Sequence, residues 1–146
     1  MFSAGNSGSS SCGYGLSGTS GGVSGWGNIT GGHKVAKNVV TVANITRVDA
    51  LASSSSRGPA ADGRIKPDIS AVGTDVYSTT DLPAHHSYTN KTGTSMACPG
   101  VSGTMATLYQ AFRSYNSGQD PESVLIKGIA LNTADDLGNP GPDFKY

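Results

Sequence analysis
A chain of 146 residues is long enough to bury a core and makes one domain or part of one. Its 10 basic and 10 acidic side chains cancel, which removes the electrostatic ground for a nucleic-acid or anionic-membrane partner. Hydrophobic residues make up only 36%, but 21 glycines bring the small and apolar share into the ordinary globular range. No apolar run approaches the roughly 18 residues of a membrane span, and the first residues lack the charged and apolar regions of a signal peptide.

Met1 to Ala4 reads as the end of a buried strand, because Gly5-Asn6 demands a turn. From Ser7 to Gly32 the chain is glycine and serine punctuation anchored only by Tyr14, Leu16, Val23 and Trp26, a long surface loop. Within it Gly13-Tyr14-Gly15-Leu16-Ser17-Gly18 satisfies GxGxxG, and Gly18-Thr19-Ser20-Gly21-Gly22 satisfies the GxSxG elbow of the α/β-hydrolases. Each carries meaning only between a strand and a helix, and neither has that setting. Val35 to Ile45 is the best strand, with Val39, Val40 and Val42 forming the β-branched run expected of a strand covered on both faces. Asp49 to Ala52 reads as a short strand. Ser53 to Gly63 reads as a loop with Arg57 as a structural hydrogen-bonding residue, and Lys66 to Ala71 is extended because Pro67 drives its predecessor out of the helical region.

Val76 to Thr79 and Tyr88 to Lys91 read as strands, with His85 and His86 in the loop between them and His33 in an earlier glycine loop. After Ser95 a helix is expected through Met105, Leu108, Tyr109 and Phe112, with Pro99 inside its first turn, where a missing N–H costs nothing. A serine at that point is either an ordinary N-cap or a hydroxyl set in the positive field of a helix start, beside amides with no intrahelical partner. Ser117 to Pro121 turns the chain into a second helix, with Asp120 as N-cap, Pro121 at the first position and an apolar stripe of Val124, Leu125, Ile129 and Ala130. Asn139-Pro140-Gly141-Pro142 then breaks it. Lys91-Thr92-Gly93 matches a β-lactamase motif, but the Ser-x-x-Lys that should accompany it is absent. Asn28, Asn44 and Asn90 head glycosylation sequons, and Asn44, at a strand end, is the least credible. Cys12 and Cys98 form no CxxC pair or metal set, and sequence does not decide whether they bridge.

Gly93-Thr94-Ser95-Met96-Ala97-Cys98-Pro99 resembles the nucleophile motif of the subtilisin-like serine proteases, the subtilases. Two further segments resemble the same family in the same order: Ser3-Ala4-Gly5-Asn6-Ser7-Gly8, like its oxyanion-hole asparagine segment, and Ser55-Ser56-Arg57-Gly58-Pro59 leading to Lys66-Pro67-Asp68-Ile69 and Val72-Gly73. Val35 to Ile45 is similar to the family's lysine-asparagine-valine strand. The resemblance runs over nearly the whole chain.

It implies a subtilisin-like α/β fold, a mostly parallel sheet flanked by helices, of which residues 1–146 would be the C-terminal portion of the catalytic domain, a partial domain. Ser95 would be the nucleophile and Asn6 the oxyanion donor, with Ser3, Ala4, Gly5 and Thr94 lining the substrate site. The family's order of Asp, His, Asn and Ser puts the triad aspartate and histidine before Asn6 and outside this chain. Asp68 would then be structural, and His85 and His86 would have to double back across a strand to reach Ser95. Cys98 takes the place of a small residue on the buried side of the nucleophile helix and is expected as a free thiol, while Cys12 pairs outside this chain or stays free. The implied partners are a protein or peptide substrate and the missing N-terminal half of the domain, with no nucleic acid and no membrane. The implied location is secreted, with any signal upstream. No cofactor is certain, although structural calcium is compatible with the full-length protein. Two alternatives stay open: a pseudoprotease or peptide-binding module, and a non-enzymatic α/β interaction domain.

Overall fold
Thr41 to Ile45 forms β2 and is buried at all five residues, which is what a β-branched segment covered on both faces requires. The computed structural model describes residues 1–10, 25–81 and 87–146. β2 is the middle of a three-stranded parallel sheet, between β1 (Phe2–Ser3) and β3 (Ile69–Val72). The register pairs Phe2 with Thr41 and Ser3 with Val42 on one side, and runs from Val42–Ile69 to Ile45–Val72 on the other. β4 (Val76–Thr80) and β5 (Ser87–Lys91) make a separate antiparallel ribbon. Two helices follow, α1 (Thr94–Tyr115) and α2 (Ser123–Asn132).

α1 lies across all three parallel strands. Its contact face is small: Ala97 and Val101 pack on Val40 and Val42, with Met1, Ile69, Ala71, Cys98 and Met105 half-buried around them. Small residues bring the helix axis close to the sheet, so α1 is aimed by the sheet along its first two turns. Gly73 tightens the same junction. A Cβ there would stand 2.5 Å from the Gly93 carbonyl oxygen and 2.8 Å from the Ala97 nitrogen, while its own N–H reaches Ile45 O and its carbonyl accepts from Gly93 N–H.

Several expected boundaries move. The strand foreseen over Val35 to Ile45 shrinks to Thr41–Ile45, because Ala36 N–H bonds His33 O and Val39 N–H bonds Ala36 O, closing turns that side-chain patterning does not register. Asp49 to Ala52 is no strand: Asp49, at φ 57, ends a turn closed by its N–H on Thr46 O, and a lone bridge joins Ile45 and Leu51. β1 is an edge strand among the described residues rather than a buried one: Phe2 is 41% exposed and its ring rests on His33 at 4.5 Å, although Ala4 beyond it is fully buried. Pro99 is the sixth residue of α1, not within its first turn, because the helix begins at Thr94; the carbonyl of Ser95 therefore lacks the amide that residue 99 would have supplied.

The second helix also starts later than foreseen. Glu122, not Asp120, is its N-cap, and Pro121 lies outside it. Asp120 is engaged instead by Arg113 of α1 and by Tyr109; the tyrosine hydrogen bond and the guanidinium hold its carboxyl below the usual range. The apolar stripe turns as well. Ile126 and Ala130 face inward while Val124, at 71% exposed, faces out.

Candidate active site
Gly5 takes φ 113, a left-handed conformation that β-branched or bulky residues avoid, and this lets the chain leave β1 in a sharp turn that presents Asn6. The Asn6 carboxamide meets the mouth of α1. Its Oδ1 accepts from the Thr94 backbone N–H at 3.0 Å and from the Thr94 hydroxyl at 3.1 Å, and Thr94 Oγ1 in turn accepts from Gly5 N–H at 3.1 Å. Residues 88 and 89 positions apart in the chain are thereby locked together, with Thr94 fully buried between them.

The first-turn amides of α1 can be accounted for one by one. Thr94 N–H is taken by Asn6, while Met96 and Ala97 N–H both turn to Gly93 O. Among the described residues the Ser95 N–H has no partner, and neither does Asn6 Nδ2. Ser95 is not the N-cap, since Gly93 holds that position, and its residue is exposed in the first turn, where the helix dipole is positive and no acidic side chain offsets it. An exposed hydroxyl thus sits on a residue whose own N–H is open, next in sequence to the Thr94 that grips Asn6, an arrangement suited to an oxygen that gains negative charge.

The other singled-out residues separate clearly. Ser3 is half-exposed in β1, Ala4 is buried with its N–H on Val42 O, Gly5 forms the turn and Thr94 is the buried lock. Asp68 lies away from Ser95 chemistry: its carboxylate accepts from Thr41 N–H at 2.7 Å and from Lys66 Nζ at 2.5 Å, and Lys66, only 2% exposed, also bonds Val39 O. This pair, a buried lysine and a half-buried carboxylate, ties the start of β3 to the start of β2. Arg57 bonds Asn28 through its backbone, and its guanidinium stands 5.9 Å from the Trp26 ring. His33 is exposed against Phe2. Asn28 and Asn44 are buried and hydrogen-bonded, so of the three sequon asparagines only Asn90 is exposed. Cys98 is a free, half-buried thiol whose pKa burial pushes up. Cys12, His85, His86 and the two glycine motifs lie outside the described residues. No group of three or more His, Cys, Asp or Glu able to hold a metal occurs among the described residues, and none of their helices is long and apolar enough to cross a membrane.

Sequence reasoning overlooked two residues here. The resemblance gives Thr94 as a substrate contact, whereas its hydrogen bonds go to Asn6. Ser56 belongs to the Ser55–Pro59 motif without a role of its own in the sequence, although its hydroxyl accepts from Ser7 N–H at 3.0 Å beside Asn6.

A parallel sheet crossed by a helix whose mouth carries an exposed serine, beside an asparagine delivered from a neighbouring strand, defines a subtilisin-like α/β layer. The subtilase family profile matches residues 1–146, and the chain belongs to that family. It is 36% identical over 100 residues to the PII-type proteinase of Lactococcus lactis subsp. cremoris, which covers 68% of this chain and 5% of that protein. It is 38% identical over 91 residues to the minor extracellular protease Vpr of Bacillus subtilis, covering 58% of this chain and 11% of that protein. The chain therefore spans a small fraction of these curated relatives. The solved structure of the Clostridium perfringens CspB protease superposes with a TM-score of 0.68 at 27% identity, over 83% of this chain and 26% of that one.

Proposed function
We propose that these residues are the serine-bearing portion of a serine endopeptidase, the C-terminal part of its catalytic domain. Ser95 Oγ attacks the peptide carbonyl carbon and passes its proton to a histidine base. The carbonyl oxygen, now an anion, is held by Asn6 Nδ2 and the Ser95 N–H. Collapse of the tetrahedral intermediate expels the amine, which takes the proton from the histidine, and leaves an acyl-enzyme that water hydrolyses. The histidine and its orienting aspartate come from the portion of the domain that precedes Asn6. The observation that carries this reading is the pair of open donors around an exposed Ser95, fixed by the Asn6–Thr94 lock.

Triad residues act as a unit, so a polypeptide of these 146 residues alone should not turn over peptides. Joined to an upstream portion carrying Asp and His it should hydrolyse protein or peptide substrates, and Ser95→Ala should lower kcat by about 10⁶. Hydrolysis by the 146 residues alone that vanishes in Ser95→Ala would overturn the divided-triad account, and an active full chain indifferent to Ser95→Ala would overturn the nucleophile. One relative, the minor extracellular protease Vpr, is an extracellular enzyme by name, which supports a secreted location.

A further inference from the structure
The side chain of Asn6 is held from α1, but its backbone is held from the opposite side. Ser56 N–H donates to Gly5 O at 2.9 Å, and Ser56 Oγ accepts from Ser7 N–H at 3.0 Å, so one buried serine brackets the residue on both flanks. The next turn of chain is pressed onto the same run: Gly8 N–H bonds Ser54 O, and a Cβ on Gly8 would lie 2.3 Å from Ser55 O. A Cβ on Gly5 would stand 3.0 Å from Ser56 Oγ. The neighbouring hydroxyl serves something else. Ser55 Oγ accepts from Asn44 N–H of β2, also at 3.0 Å. Two adjacent serines, both with no exposed surface and each with one hydroxyl bond of equal length, therefore hold different things: Ser55 the sheet, Ser56 the Asn6 turn.

We infer that Ser56 is a positioning residue for catalysis, fixing the Asn6 backbone so that Nδ2 is aimed at the developing oxyanion. The inference rests on the reading of Asn6 as an oxyanion donor. Without the Ser56 hydroxyl, Ser7 N–H loses its acceptor and the turn can shift. Even a displacement of about 1 Å at a group that stabilises the transition state is costly in rate, and the cost falls on kcat.

The test is a set of variants in the active full chain, assayed for peptide hydrolysis together with Tm. Ser56→Ala should lower kcat about tenfold with KM within about twofold, and Ser56→Thr, which keeps the acceptor, should restore most of that loss. Ser55→Ala removes the same group at the same burial; it should lower Tm to a similar extent and leave kcat within about twofold. In an Asn6→Ala background the further effect of Ser56→Ala should fall below about twofold. Should Ser56→Ala not fold, Ser56→Cys, a weak acceptor of similar size, takes its place in the same comparison. Equal kcat losses from Ser55→Ala and Ser56→Ala, or an undiminished Ser56→Ala loss in the Asn6→Ala background, overturn the positioning role and leave the oxyanion reading standing. Asn6→Ala without effect on kcat overturns both.

Discussion
The parallel sheet leads to Asn6 and the antiparallel ribbon to Gly93 at the start of α1, and the two are built on opposite terms. β2 is buried at every residue and held by partners on both edges, whereas β4 and β5 alternate between half-buried and exposed, with Tyr77 and Tyr88 stacked in solvent at 5.5 Å. The sheet delivers Asn6 and sets the path of α1; the ribbon brings the chain round to Gly93. The difference separates framing from delivery. Frame residues should be intolerant of change, and delivery residues should matter mainly where they join the frame.

The largest stability effect is expected inside the frame. Lys66→Ala leaves the Asp68 carboxylate without its buried cation, and in the full chain it should cost about 3–5 kcal/mol by denaturant unfolding. Asp68→Asn should also destabilise, yet leave kcat of the folded enzyme unchanged; a loss of kcat with intact Tm would mean that Asp68 takes part in the chemistry. Next comes the joint between the two regions. Gly73→Ala pushes a Cβ into Gly93 O and Ala97 N, so it should destabilise by about 2–3 kcal/mol. Gly100→Ala, where a Cβ meets nothing within 4 Å, should be harmless or mildly stabilising.

The comparison sharpens with one residue from each region. Val42→Ala, at a fully buried position in contact with α1, should cost about 2 kcal/mol. Tyr77→Ser, 68% exposed on the ribbon, should cost less than about 1 kcal/mol. Equal costs would remove the distinction. The smallest effect concerns Cys98. Burial raises its pKa, so less thiolate exists at a given pH, and alkylation by iodoacetamide near pH 8 should be slower than for an exposed cysteine and rise only at higher pH. Alkylation as fast as that of an exposed cysteine would place Cys98 outside the core.

The class of fold was legible, and the two ends of the candidate site stood out, because their signals are local: a β-branched run, a glycine-asparagine turn, and a serine before a helix. What the sequence hid depends on groups brought together from afar. Val35 to Val40 carries the side chains of a strand, but its backbone closes turns with His33 and Ala36. Asp120 has the makings of an N-cap, but Arg113 and Tyr109, on the preceding helix, hold its carboxylate. Pro99 fits a first turn only if the helix starts at Ser95 or later, whereas it starts at Thr94, whose N–H bonds Asn6. Ser53 to Ser56 reads as low-complexity loop, and nothing in four identical residues tells which hydroxyl faces β2 and which faces Asn6.

The account stands on Asn6 and Ser95 serving one carbonyl oxygen. A crystal structure of the full chain with a peptide boronic acid measures this directly. The boron should be bonded to Ser95 Oγ, with one boronate oxygen about 2.7–3.1 Å from both Asn6 Nδ2 and the Ser95 nitrogen. An adduct on another residue, or a boronate whose oxygens leave Asn6 Nδ2 untouched, would contradict it.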